Sequence, residues 1–356
     1  MLILLSIFGI FAAIFLLIYP AFLPKRKPNS FPFVSIIIPA RNEEKNIGEL
    51  LDTLINQNYK NFEIIVVDDQ SKDRTAETAQ QKNAKVFKIQ HKPRDFLGKP
   101  YACYQGYLNS KGDILLFVDA DVRFNKTDVL EKIVAEVLNF NGVVSVWPYH
   151  KIKNFYENFS AIYAIISSMA SRSFSLISKK ITIKGLYGPL IAVKREHYEL
   201  IGTHKAVKSE IVEDFKLGLM FAERGIPIRN YLGGDDISFR MYPNGLKELW
   251  KGWTKNSAIG AATVNWNVVI PILLFLIGSL IPALWISTKP FFLFYLVYAF
   301  LINIFCRKVG NFWIIVPILY PVFVAFTLSI IFYSFYSTYI LGFVEWKDVK
   351  IFTKRN

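Results

Sequence analysis

The chain has 356 residues, 53% of them hydrophobic, with a formal charge of +14 and only two cysteines. That accommodates one large domain plus several apolar spans and excludes a small disulfide-stapled module. A basic excess suits nucleic acid, acidic lipid or an anionic substrate, but there is no zinc finger, RNA-binding signature or sustained Lys/Arg stripe, so nucleic acid is set aside and membrane and phosphate lead.

Residues 1–24 hold the uncharged run LILLSIFGIFAAIFLLIYPAFL, followed at once by Lys25, Arg26 and Lys27. A bilayer core of about 30 Å matches such a run, and basic residues stay on the cytoplasmic side. The charge follows the apolar stretch rather than preceding it, unlike a secretory signal, so the expectation is an uncleaved anchor with its N-terminus outside. Residues 31–262 then form a cytosolic domain. There, short β-branched runs (VSIII, EIIVV, AKVFKI, DILLFV, VVSV) alternate with charged amphipathic stretches, the pattern of an α/β fold with a mostly parallel sheet and helices on both faces.

Several strand ends carry chemistry. VSIIIPARNEEKNI runs a strand into Pro39, Ala40, Arg41, Asn42 and an acidic helix start, where Arg41 is able to address a phosphate at the carboxyl end of a parallel sheet. EIIVVDDQSKDRT ends a strand on Asp68 and Asp69; adjacent carboxylates repel, which leaves one facing a ligand donor such as a base N–H or a ribose hydroxyl, while Asp73 reads as a helix cap. In LLFVDADVRF a buried strand opens onto Asp119 and Asp121, whose spacing puts both carboxylates on one face of an extended chain. Two hard oxygen donors of this kind suit Mg2+ or Mn2+ holding a diphosphate. Further on, SEIVEDFKLGLMFAERGIPI is an amphipathic helix with Glu213 and Asp214 in its first turn, where a carboxylate stays ionised and serves as a general base.

Residues 265–343 return to an apolar texture. Two spans, near 268–286 and 291–305, precede the stretch 312–343, in which Pro317 and Pro321 leave a tilted helix, a kinked hairpin or an interfacial segment open. A basic tail, 344–356, carries Lys347, Lys350, Lys354 and Arg355 and argues for an inside C-terminus. The whole reads as a multi-pass protein of the cell membrane with a cytoplasmic catalytic domain. A transporter would place ionisable groups within the spans, and 268–286 and 291–305 contain none. A nucleotide-binding scaffold is the remaining alternative.

Taken in order, PARNEEKNI, VVDDQSKDRT, LGKPYACYQG, VDADV and VEDFKLG resemble the family 2 inverting glycosyltransferases, over roughly residues 33–260. GKPYACYQG, SVWPYH, FRMYPNGL, GWTKNSAIGA, RKVGNF and VEWK extend the likeness to the membrane-bound carotenoid glycosyltransferases. The resemblance implies a GT-A nucleotide-diphospho-sugar fold, a UDP-sugar donor (UDP-glucose first), Mn2+ or Mg2+, and a lipid or carotenoid acceptor, a C30 carotenoid acid foremost, entering from the bilayer. It also implies that Pro39, Ala40, Arg41 and Glu43 line the nucleotide pocket, that Asp69 or Asp68 holds the uracil, and that Lys99 lies near the diphosphate. Asp119 would face ribose and metal, Asp121 would bind the metal, Asp214 would be the base, and Gly188 and Pro189 would build the acceptor-side wall. Chain-building members carry Gln-x-x-Arg-Trp after the base, whereas LWKGW keeps Trp253 with Leu249 and Gly252 in place of Gln and Arg. Single-sugar transfer is therefore expected, with Arg240, Lys255 or both replacing the missing cation. The stretches NFYENFSAIYAIISSMASRSF and LKELWKGW are expected to lie against the bilayer.

Overall fold

The computed structural model describes residues 1–17, 19–170, 185–263, 266–346 and 349–352. Lys347, Lys354 and Arg355 of the expected tail, and residues 171–174 of the aromatic stretch, lie outside the described residues. Two compact units emerge, one from 21–149 and 182–239, the other from 1–20, 150–181 and 240–356. The second therefore takes in stretches near 150–170 and 240–262 that the sequence pattern groups with the cytosolic domain.

In the first unit the strands follow the β-branched runs. They are β1 (Val34–Ala40), β2 (Phe62–Asp68), β3 (Lys85–Lys88), β4 (Ile114–Val118), β5 (Val122–Phe124), β6 (Val143–Trp147), β7 (Tyr149–His150, at the boundary of the unit), β8 (Leu190–Lys194), β9 (Ile228–Leu232) and β10 (Ile237–Phe239). The main sheet has the order β3-β2-β1-β4-β8-β6-β9. Neighbours in it are parallel except where β8 pairs with β4 and β6. Strands β1, β2, β4 and β6 are buried almost throughout because helices cover both faces, so they read as continuous apolar runs rather than alternating ones. One core packs Ile37, Leu115, Phe117 and Val193 with Tyr198, Leu217 and Phe221; a second joins Ile65, Val67, Ile89 and Ala102. Burying each such side chain contributes about 1.5–3 kcal/mol.

The register fixes where the polar ends fall. Ala40 pairs with Asp68, and Ile37 with Phe117, so the carboxyl ends of β1, β2 and β4 reach one edge of the sheet. Because β8 is antiparallel, with Leu190 opposite Val118, the Gly188-Pro189 segment enters at that same edge.

The second unit is helical. Among the described residues, three of its helices are long and apolar enough to cross a membrane: Trp266–Leu284, Lys289–Val309 and Tyr320–Leu341. The choice left open over 312–343 resolves into a short turn of helix, Ile315–Ile318, and then one 22-residue helix rather than a hairpin. The expected N-terminal span is shorter than the apolar run, because the helix covers only Leu2–Leu17. At 1.5 Å per residue that is about 24 Å, less than the hydrocarbon core. Pro20 accounts for the difference, since it cannot continue a helix and disfavours helical backbone just before it. Beyond it, in the first unit, the Leu232 N–H donates to the Ala21 carbonyl at 2.8 Å and Phe22 pairs with Leu232, so the apolar remainder lies along β9 instead. Within the helical unit, Leu2–Leu17 packs on Trp266–Leu284 through Gly9 and Gly278. A Cβ at Gly278 would sit 2.8 Å from the Leu5 carbonyl oxygen, and the Tyr298 hydroxyl donates to the Ser6 carbonyl at 2.8 Å.

Candidate active site

Two loops at the carboxyl edge are tied to one another before any ligand is considered. Asn42 and Gln70, the residues that turn the chain out of β1 and β2, both adopt left-handed backbone (φ 55° and 59°), a conformation that Asn and similar polar residues tolerate. The Asn42 N–H donates to Ser71 Oγ at 2.9 Å and the Lys72 N–H to Asn42 Oδ1 at 2.9 Å. Asp73 accepts from the N–H groups of Glu44 and Thr75, both at 3.1 Å, the first residues of two helices, as its reading as a cap requires. Burial pushes its carboxyl up, and the hydrogen bonds from Thr75 and Glu44 outweigh that and hold it below the usual range. Glu43 accepts from the side-chain amide of Asn46 at 2.8 Å, and Pro39 and Ala40 close β1 beside it.

Asp68 and Asp69 divide the work expected of an adjacent pair. Asp68 turns inward on its own loop, accepting the Ser71 N–H at 3.0 Å. Asp69, only 4% exposed, faces cations: Arg41 Nη1 lies 3.7 Å and Lys92 Nζ 3.5 Å from its Oδ2. Its Oδ1 is buried with no hydrogen-bond partner among the described residues. A buried carboxylate oxygen in that state costs about 1–3 kcal/mol, so it is a ready acceptor for a ligand N–H or O–H. Gly98 is required here, since a Cβ would fall 2.4 Å from Asp69 Oδ2. Lys92 has no place in the motif reading; its only trace in the sequence is the basic run His91, Lys92, Arg94 between β3 and LGKPYA.

Next to this pocket the helix Gly98–Leu108 begins, and its second residue, Lys99, gathers the remaining acids. Its Nζ lies 2.8 Å from Asp119 Oδ1, 3.4 Å from Glu213 Oε1 and 3.4 Å from the Gly188 carbonyl. Burial pulls the ammonium down, but Asp119, Glu213 and Asp214 more than offset it and hold Lys99 well above the ordinary lysine range. Asp119 itself is fixed by its N–H donating to the Pro189 carbonyl at 2.9 Å, and Asp121 follows, half-buried, before β5. Glu213 and Asp214 open the helix Glu213–Glu223, and Asp214 lies against Gly188: a Cβ there would meet its Oδ2 at 2.5 Å. Asp119, Lys99, Gly188, Glu213 and Asp214 thus form one cluster. Behind Lys99, the Tyr198 hydroxyl and His204 Nδ1 are 2.6 Å apart; burial and the nearby Lys99 charge push His204 down to about 3, so it is neutral.

The two other expected cations belong to the helical unit. Arg240 reaches Glu157, a fully buried carboxylate, with Nε at 3.1 Å and Nη2 at 2.5 Å, and Lys255 lies half-buried on the helix Leu246–Thr263. On that helix, Gly252 sits under the Tyr242 ring, whose nearest carbon would be 2.2 Å from a Cβ. No arginine fits at 252 while Tyr242 stays in place.

Asp119 and Asp121 are hard carboxylate donors two positions apart in the chain, and among the described residues no group of three or more His, Cys, Asp or Glu gathers as a metal cage. That donor set fits an ion whose other positions are taken by phosphate oxygens, as is usual for Mg2+ on nucleotides.

A family model described as glycosyl transferase family 2 matches residues 35–202. A 4,4'-diaponeurosporenoate glycosyltransferase of Staphylococcus haemolyticus is 37% identical over 260 residues, 72% of this chain and 69% of that protein. The protein of the same name from Staphylococcus aureus is 34% identical over 326 residues, 88% of this chain and 87% of the relative. Among solved structures, a mannosyltransferase from Pyrobaculum calidifontis in complex with GDP-Man and Mn2+ superposes over 95% of this chain and 99% of its own, with a TM-score of 0.59 at 17% identity. It shares the GT-A fold. With the sheet order, the clustered acids and these relatives in agreement, the chain is a glycosyltransferase and belongs to glycosyl transferase family 2.

Proposed function

We propose that the protein is a membrane-bound inverting enzyme that moves one sugar, glucose, from a UDP-sugar to a lipid acceptor, a carotenoid acid of the kind its staphylococcal relatives are named for. The observation that carries this reading is the single cluster in which Lys99 and Asp119 stand beside Glu213 and Asp214. Asp69 receives the uracil N–H on its buried Oδ1, with Arg41 and Lys92 beside its Oδ2 and Pro39, Ala40 and Glu43 closing the wall. Asp119 and Asp121 would hold Mn2+ or Mg2+, which would supply positive charge to a departing diphosphate. Lys99 adds a fixed positive charge there, and preorganised electrostatics of this sort is usually the largest catalytic contribution. Asp214, against Gly188, is the candidate base for an acceptor that still carries a proton, an effect worth about a hundredfold to ten-thousandfold.

An acceptor carboxylate is already ionised at neutral pH and makes little use of a base. Asp214 placed at the Gly188 wall therefore supports a second reading, in which the acceptor is a membrane lipid hydroxyl. The three apolar helices support a multi-pass membrane location with the acceptor arriving from the bilayer, and the aromatic stretch around Phe155–Phe159 and Trp250 an interfacial one.

The test is to incubate membranes containing the protein with radiolabelled UDP-glucose, UDP-galactose or UDP-N-acetylglucosamine and a carotenoid acid, with and without chelator. Labelled lipid is expected from UDP-glucose and lost with chelator. Asp214→Asn is expected to abolish transfer while UDP binding persists; a scaffold would be indifferent to it, and a transporter would move solute without consuming the nucleotide sugar.

A further inference from the structure

Glu213 is the one member of the acid cluster that the proposed mechanism leaves without work. It is 6% exposed, at the start of its helix, and among the described residues its side chain meets a single charge, the Lys99 ammonium at 3.4 Å. That ammonium stands at the same time 2.8 Å from Asp119, the residue proposed to receive a divalent ion. The two demands conflict: a cation arriving at Asp119 meets a lysine already bound there, and like charges at contact distance repel. Lysine is a compact charge on a flexible four-carbon stem, so a small swing is open to it, provided a second acceptor lies within reach.

We infer that Glu213 is a positioning residue that draws the Lys99 ammonium off Asp119 as the metal ion arrives with the nucleotide. The Gly188 carbonyl, 3.4 Å from Nζ, accepts a second of its protons and keeps the displaced ammonium facing the diphosphate. Without Glu213 the lysine stays on Asp119 and competes with the metal. The inference rests on the donor-site reading above.

A double-mutant cycle separates this role from plain packing, because residues that act through one another give non-additive effects. The full-length protein, Glu213→Gln, Lys99→Met and the double variant are titrated with Mn2+ in saturating UDP, following loss of the free-ion EPR signal. Glu213→Gln is expected to raise the half-saturating Mn2+ concentration by about tenfold when Lys99 is present and by less than about twofold when it is Met, within the usual range of coupling. Glu213→Asp, which keeps the charge, is expected to recover most of the loss. Equal shifts in both backgrounds, or none in either, overturn the inference and leave the donor site standing. Failure of the parent chain itself to hold Mn2+ under UDP overturns the donor-site reading and this inference with it.

Discussion

Each unit of the molecule contains a buried glutamate beside a cation, and the two pairs are built differently. In the helical unit Glu157 is fully enclosed; it accepts from both Nε and Nη2 of Arg240 and from the Lys153 N–H at 2.7 Å, and its segment forms a capping box with Asn154. In the sheet unit Glu213 makes, among the described residues, one ion pair at 3.4 Å, with an ammonium it shares with Asp119. A planar guanidinium fork saturates a carboxylate, whereas a point charge on a flexible stem leaves capacity over. The saturated pair is scaffold, and the unsaturated one stands where the proposed chemistry needs a charge that moves.

The largest effect is expected from Arg240→Ala. If the Glu157 pair is scaffold, removing the arginine strands a buried carboxylate and costs about 3–5 kcal/mol of stability, read as a lower unfolding midpoint in detergent. A stable variant with lost transfer would instead make Arg240 a diphosphate contact. Gly188→Ala probes the other side. Its Cβ must displace the Asp214 carboxylate, and a shift of about 1 Å in a reacting group costs on the order of a hundredfold in kcat, with little change in UDP affinity expected. Normal kcat would remove Asp214 from the reacting face.

The smallest expected effect comes from acid. His204 is held at about 3 by burial, well under the unfolded value of 6.5. Because its folded pKa is depressed, the unfolded chain binds the proton more readily, so stability falls as pH drops below about 6.5, by up to ~1.4 kcal/mol per pH unit. His150 in the helical unit, pushed down to about 4 by burial, contributes in the same sense. His204→Gln is expected to flatten the sheet unit's share of that slope in thermal scans between pH 7 and 5, and an unchanged slope would place the acid sensitivity elsewhere.

Much of the sheet was legible because β-branched runs mark strands directly and acids at their ends break the apolar pattern; Asp68, Asp69 and Asp119 stood out for that reason. Strand direction is not written in such runs, so the antiparallel β8 that brings Gly188 to the edge became visible only with pairing. Nor does local pattern show a contact between residues as distant in the chain as Lys99 and Glu213, or Arg240 and Glu157. Lys92 went unnoticed because a lone lysine in a basic loop has no motif. The N-terminal apolar run outlasts its helix, Leu2–Leu17, because hydropathy continues through Pro20 while a proline cannot continue helical hydrogen bonding.

The strip of chain after Pro20 has a practical meaning for anyone handling the sheet unit alone. Strand β9 is the last in the main sheet, and its outer side is met by Ala21 and Phe22. Cutting the protein at Lys25 to discard its greasy leader would strip that cover and present bare amides to the next molecule, a template for clumping. Trimming instead at Pro20 keeps the seal, and the two preparations should part company in a light-scattering cuvette.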